Sequence, residues 1–472
     1  MLTARSLSYV CSLKNVVLQI KGFIASPVYD TNVSYAFISH LNYFSDLITG
    51  WGVYNFFIVG LCGLCSFAQA CMFPIIIVAV PFMVCDLDLS MQQTTFAYAS
   101  LTLGMAIGAF VVGLFIDAYG RKSAIPVTMI LIFCASITLS FAQSIFVINL
   151  SMCALGVGLA GNNVVLRVYL IEFLPKKRRG CCMVILDLLA VIGCTCSIGK
   201  NNIYTPFFLL YYILQVQMAQ LDNCVRADDE EEPLESDLIK EVQKFYQKSQ
   251  KRVEKLFVKH MKSKTFIGVF INFLQYPGYA WFALWCTHLI HVQQYINDSP
   301  IKNTTCVADM QGLALEYLRN CKEIGTERFK LLVYLCLSYV LAEFILLMGV
   351  DVFSRKKFLV VSSAAGAIGC FILLFTARTS VQILLCIVIL GTYAVARTTA
   401  TIILLENYFT GVRGTVMGLS RLLPYLIGGF SKIYLSVHCV PSIFAMGGIL
   451  MGKPLFNISS VQEFLPNLEL YS

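Results

Sequence analysis

The sequence is short of charge. Only 13% of its 472 residues are Asp, Glu, Lys or Arg, against about 25% in ordinary soluble domains, while 58% are hydrophobic. With a mean hydropathy of +0.74, a single soluble globular protein is excluded. Disorder and a coiled coil are excluded too, because both need abundant polar residues. Other absences narrow the chemistry. There is no Ser/His/Asp set, no metal-ligand cluster and no Walker-type loop, so neither an enzyme nor an ATP-driven pump is indicated and no cofactor or metal is expected. No CxxC pair recurs at zinc-site spacing. The first fifty residues lack the basic, apolar and small-residue order of a cleaved signal peptide.

What is present is apolar sequence in long runs. They fall near residues 54–82, 95–115, 124–143, 145–171, 181–199, 203–221, 265–291, 330–349, 358–377, 381–405, 415–437 and 441–456. At about 20 residues per span, a chain of this length holds roughly ten to twelve membrane helices. The expected fold class is therefore an all-α polytopic membrane protein. Two runs are atypical: 203–221 carries Pro206, Gln215 and Gln217, and the last is shorter than the usual ~17–25 residues. Most of the nineteen cysteines, such as Cys62, Cys65, Cys134 and Cys370, lie in these runs. There a thiol behaves as a small hydrophobe. Cys306 and Cys321 differ, standing close together in a polar segment where a bridge could form.

The net charge of +8 sits in short clusters between the runs: Arg121-Lys122, Lys176 to Arg179, Lys248 to Lys264 and Arg355 to Lys357. That is how Lys and Arg mark cytoplasmic loops, not how a nucleic-acid surface is built. The reading divides the chain into a cytoplasmic segment 1–51, a six-helix bundle 52–221 and a central cytoplasmic loop 222–264. A second six-helix bundle, 265–456, and a tail, 457–472, follow. The central loop starts acidic and ends basic, with Leu238, Val242, Phe245, Val253, Leu256 and Phe257 largely at helical spacing, so it holds an amphipathic helix. Such a helix is either a solvated linker or a regulatory contact. An outside loop is expected at 293–328, where Asn297 and Asn303 head two N-x-S/T sequons.

The most informative feature is a repeat of charges. Asp117, Gly120, Arg121 and Lys122 follow the second run, and Asp351, Ser354, Arg355 and Lys356 follow the eighth. Glu172 and Arg179-Gly180 follow the fourth, and Glu406 and Arg413-Gly414 follow the tenth. The offset from 117 to 351 is 234, and so is that from 172 to 406. Two constellations in one register indicate a duplicated six-helix unit, related by a parallel repeat.

Gly113-Leu-Phe-Ile-Asp117-Ala-Tyr-Gly120-Arg121-Lys122 resembles the loop signature of the major facilitator superfamily. Within it, Tyr169-Leu-Ile-Glu172-Phe-Leu-Pro and Leu405-Glu406-Asn-Tyr-Phe-Thr-Gly-Val-Arg413-Gly414 are similar to the organic-ion transporter and synaptic vesicle glycoprotein 2 group. His438-Cys439 is similar to insect members of that branch. The chain departs from the family around Met152-Cys153-Ala154, where the usual arginine is missing, and after the sixth run. The resemblance implies two bundles that alternate about a central site. It further implies that Gly113, Asp117, Gly120, Arg121, Lys122, Glu172, Arg179, Asp351, Arg355, Lys356, Glu406 and Arg413 form a cytoplasmic gate. The bland alternative, that the basic residues only orient the loops, does not require the acids or the repeated spacing.

Charges inside a membrane span cost several kcal/mol unless paired or wet, so Arg167, Asp187, Glu343 and Arg397 are candidates for a substrate path. Interhelical packing and snorkelling compete with that role. Arg167 and Asp187 sit at similar depth and could pair. Asn162 and Asn163 mark the fourth helix as a cavity wall, or equally as a packing face. In the seventh run, Gln275, Tyr276, Tyr279 and Trp285 form an aromatic-rich stretch broken by Pro277-Gly278. It suits an organic cation, or simply a membrane interface. Gly156-x-Gly158-x-x-Gly161 matches a dinucleotide pattern but lies inside an apolar run, so helix packing explains it better. The expected function is secondary or facilitative transport of a small organic, organic-ion-like solute across a plasma or vesicle membrane. Its partners are the lipid bilayer and a substrate, with or without a coupling ion; no nucleic acid is involved, and a monomer is expected. The competing class is a non-transporting membrane protein acting in interaction or trafficking.

Overall fold

A computed structural model describes residues 53–72, 91–175, 178–198, 238–257, 262–273, 326–375 and 379–435. The expected spans at 203–221 and 441–456, the outside loop with Asn297, Asn303, Cys306 and Cys321, and the aromatic stretch Gln275, Tyr276, Tyr279 and Trp285 lie outside the described residues. The helices are α1 (Val53–Ala70), α2 (Met91–Tyr119), α3 (Arg121–Ser140), α4 (Ile145–Phe173) and α5 (Arg179–Ile198) in the first half. The central loop contributes α6 (Leu238–Leu256). The second half contributes α7 (Thr326–Gly349), α8 (Arg355–Leu374), α9 (Thr379–Glu406) and α10 (Arg413–Leu435). Among the described residues six helices are long and apolar enough to cross a membrane.

These segments are helical because an apolar run in lipid must satisfy every backbone N–H and C=O internally. Their outer faces confirm the solvent they are built for. Leu103, Ile107 and Val111 on α2, and Leu337, Leu341, Phe344 and Met348 on α7, are exposed at helical spacing. In water such stripes would be a liability; against lipid they are the correct surface.

Inside each half, small residues set the packing. α2 lies along α4, where Gly104 and Gly108 meet the backbone of Cys153 and Val157, and Gly156 meets that of Leu101. Gly158 faces α3 through Ile132 and Thr128, and Gly161 sits between Val112 of α2 and Thr128 of α3. The dinucleotide-like glycine pattern is thus a set of helix-packing positions. α1 packs on α5, α8 on α9 and α7 on α9. The halves meet along two seams, α2 against α10 and α5 against α7. The repeat exchanges one seam for the other.

The α2–α10 seam needs glycine. A Cβ on Gly113 would lie 2.5 Å from the Gly414 carbonyl oxygen, and one on Gly414 would lie 2.6 Å from that of Gly113. Backbones this close admit no side chain between them. Gly414→Ala is expected to cost about 1–3 kcal/mol of stability, the usual range for overpacking. Gly60→Ala, where nothing lies within 4 Å, should be neutral or stabilising. Thermal unfolding of the detergent-solubilised protein measures both; equal effects would contradict the seam.

Candidate functional site

Four inter-helix junctions converge at one end of the bundle: α2/α3, α4/α5, α7/α8 and α9/α10. The first turns at Gly120, whose φ of 90° is left-handed backbone that favours glycine. Its repeat mate Ser354 has φ −63°, so no glycine is needed there and the motif changes without strain.

Asp117 ends α2 and reaches across to the other half. Its Oδ1 accepts from the Gly414 N–H at 3.2 Å, and its Oδ2 accepts from the Thr415 N–H at 2.7 Å and the Thr415 hydroxyl at 2.8 Å. The first N–H groups of a helix have no acceptor of their own and carry the positive end of its dipole. A buried carboxylate there satisfies both needs. Asp351 repeats the arrangement with α5: its Oδ2 accepts from the Cys181 N–H at 3.3 Å. Positions 181 and 415 are again 234 apart.

Arginines lie beside each carboxylate and link it to the acid of its own half, and Arg121 also reaches across to the other half. Arg121 donates to Glu172 Oε1 at 2.5 Å and to the Thr410 carbonyl at 2.8 Å, with Asp117 at 3.8 Å. Arg355 pairs with Glu406 and lies 3.6 Å from Asp351. Arg179 Nε donates to the Leu174 carbonyl at 3.0 Å, and Arg413 Nε to that of Tyr408 at 2.8 Å. The Arg–Glu, Arg–Asp and Arg–carbonyl links within each half recur at the same offset. Lys122 and Lys356 occupy the first turns of α3 and α8.

The two locks differ in strength. Asp117 has three donors and is 6% exposed; Asp351 has one donor from the opposite half and an exposed residue position. Burial pushes the Asp351 carboxyl above its ordinary range, while the Arg355 guanidinium pulls it down. α6 covers the stronger lock. Phe245 lies 5.8 Å from the Tyr119 ring and 6.3 Å from Phe115, with the Lys248 ammonium 5.2 Å from the Tyr119 centroid. The central loop thus carries a docked helix rather than a solvated linker.

Deeper in the bundle, Arg167 on α4 holds Asp187 on α5 through two bonds, at 2.5 and 3.3 Å. Thr398 on α9 lies 3.0 Å from Asp187 Oδ2 and 2.7 Å from Glu343 Oε1 on α7. These groups are at most 5% exposed. Arg397 is half-buried beside them. Asn162 donates to Gln69 Oε1 at 2.9 Å and is fully buried among α1, α3 and α4, whereas Asn163 keeps partial exposure.

Thr398 and Thr415 do not stand out in the sequence, because a hydroxyl in an apolar helix normally bonds its own preceding turn, as Thr399 does to Val395. Arg421 was legible in principle. It is a charge inside an apolar run, buried at 3% exposure and donating to Thr401 at 2.7 Å.

Removing the charge should expose the asymmetry of the locks. Asp117→Asn is expected to lower stability by about 1.5–3 kcal/mol, the range for hydrogen bonds to charged groups. Asp351→Asn should cost clearly less. Thermal melts of the two variants decide it, and equal losses would contradict the assignment.

Residues 62–198 match the Major Facilitator Superfamily. Solute carrier family 2, facilitated glucose transporter member 12 of Homo sapiens is 29% identical over 122 residues, covering 26% of this chain and 20% of that protein. Organic cation/carnitine transporter 7 of Arabidopsis thaliana is 26% identical over 144 residues, covering 30% of this chain and 29% of that protein. The chain thus matches less than a third of the length of these curated relatives. The E. coli proton:xylose symporter XylE superposes with a TM-score of 0.59 at 13% identity, over 87% of this chain and 95% of that one. The chain is a multi-pass membrane protein with the major facilitator fold, and residues 62–198 carry the family's sequence match.

Proposed function

We propose that the chain is a secondary active or facilitative carrier that moves a small organic solute by alternating access. The observation that carries this is the doubled lock between the halves. Asp117 caps α10 and Asp351 caps α5 at the same end of the bundle, and neither bond holds a half together internally. Contacts that bind two rigid units while leaving each intact are what a gate requires, because they can break without unfolding either unit.

The basic loops put that end on the cytoplasmic side. The gate then comprises Gly113, Asp117, Gly120, Arg121, Lys122, Glu172, Arg179, Asp351, Arg355, Lys356, Glu406 and Arg413, and it is shut. In this topology the sequons at Asn297 and Asn303 face outside. The boundaries 52–221 and 265–456 delimit the rocking units. The substrate class is a sugar-like or organic-ion-like metabolite: the relatives named above include a glucose transporter and an organic cation/carnitine transporter. The resemblance around Glu172 and Glu406 favours the organic-ion and synaptic vesicle glycoprotein 2 group, in a plasma or vesicle membrane. Asn163 and Arg397, with Gln275, Tyr276, Tyr279 and Trp285, are the proposed path residues.

Uptake by proteoliposomes, screened with organic cations, organic anions and sugars, tests the proposal. Saturable uptake is expected for at least one class, and Asp117→Ala should lower it roughly tenfold, the equivalent of about 1.4 kcal/mol in the gate equilibrium. No uptake by folded, correctly oriented protein would favour a non-transporting role in interaction or trafficking.

A further inference from the structure

The cluster below the gate contains a proton that the hydrogen count demands. Thr398 Oγ1 lies 2.7 Å from Glu343 Oε1 and 3.0 Å from Asp187 Oδ2. A hydroxyl has one hydrogen and can donate to only one of two ionised carboxylates. The other would set its lone pairs against those of the hydroxyl oxygen. Both short distances are satisfied when one carboxyl is protonated and donates to Thr398, which in turn donates to the other.

Charge pairing says which one holds the proton. Asp187 already has the two-pronged contact with Arg167, which compensates a charge there. Glu343 is 0% exposed, and its Oε2 finds no hydrogen-bond partner among the described residues. A buried ionised carboxylate with an undonated oxygen is costly, and a neutral carboxyl much less so. The charged groups facing Glu343 are Asp187 from α5, Arg397 from α9 and Arg167 from α4. The relay runs Glu343 to Thr398 to Asp187 to Arg167, across the α5–α7 seam. Thr399 and Thr401 on the same helix spend their hydroxyls on their own backbone at Val395 and Arg397, so Thr398 is turned to this use.

We propose that Glu343 is a proton-binding site bridging the two halves through Thr398, and that its occupation by one proton keeps the α5–α7 seam closed. The inference rests on the carrier reading only in naming the proton as the coupling ion. The step is Glu343–COOH to Glu343–COO⁻ plus a proton released to water. Its loss leaves two carboxylates across one hydroxyl, and their repulsion opens the seam.

Infrared spectroscopy of the full chain in lipid nanodiscs tests this without any solute. A protonated-carboxyl band should appear at neutral pH, sensitive to deuterium, and should vanish in Glu343→Gln. Thr398→Val should shift the band up as the acid loses its acceptor, and Thr398→Ser should restore it. A band unchanged in Glu343→Gln, or absent from the wild type, overturns the proposal. The carrier reading fails separately. A band that behaves as expected in a protein moving no solute leaves the proton site standing. Solute uptake with no Glu343 band leaves the carrier standing without it.

Discussion

A carboxylate from one half, set on the free N–H groups that open a helix of the other half, is the contact on which the proposed gate depends. Asp117 is placed there by the last turn of α2, and α10 begins where it can receive it. A helix start offers donors in a fixed direction with a partial positive charge behind them. The bonds run between the halves and take no contact from inside either. Everything nearby serves its geometry. Gly113 and Gly414 bring the backbones together, Gly120 reverses the chain directly after Asp117, and Arg121 returns to Glu172 so that the acid lies in a balanced field.

The duplication supplies this contact twice but not equally. Where Thr415 adds a hydroxyl donor to Asp117, the corresponding Cys181 offers its backbone N–H to Asp351. Where Gly120 needs left-handed backbone, Ser354 does not. Asp117 is buried, and next to it Phe245 of α6 stacks on Tyr119 at the end of α2, whereas the Asp351 side chain is partly exposed. The halves thus keep a common skeleton of charges while the surroundings have drifted, giving one strong lock and one weak one. The buried cluster Arg167, Asp187, Thr398 and Glu343 crosses the second seam further in, so the weaker lock has a deeper contact behind it.

The fold class and the charged skeleton are legible in the sequence for one reason: a charge in or beside a membrane is expensive, so those that remain are few and well spaced. Their offset of 234 marks the repeat, and equal depth on neighbouring helices puts Arg167 with Asp187. Which acid crosses between halves and which stays within one is not legible, because Asp117 and Glu172 have the same chemistry and differ only in the helix end they face. Thr398 and Thr415 are illegible for the complementary reason. Hydroxyls cost little in a helix and are common, so only their neighbours in space give them a role. The amphipathic pattern of α6 is visible, but its docking on Tyr119 depends on a partner 126 residues away from Phe245 in sequence.

The central claim is that Asp117 and Asp351 close one gate between two rigid halves. Hydrogen exchange at the amides of Thr415 and Cys181 tests it directly, since these N–H groups lie in the first turn of their helices and take their protection from the opposite half. In the wild type both should exchange slowly. In Asp117→Ala both should speed up together, although the Cys181 N–H bonds to Asp351 and not to Asp117, because loss of the stronger lock releases the weaker. Faster exchange at Thr415 with Cys181 unchanged would mean two independent contacts and contradict a single gate.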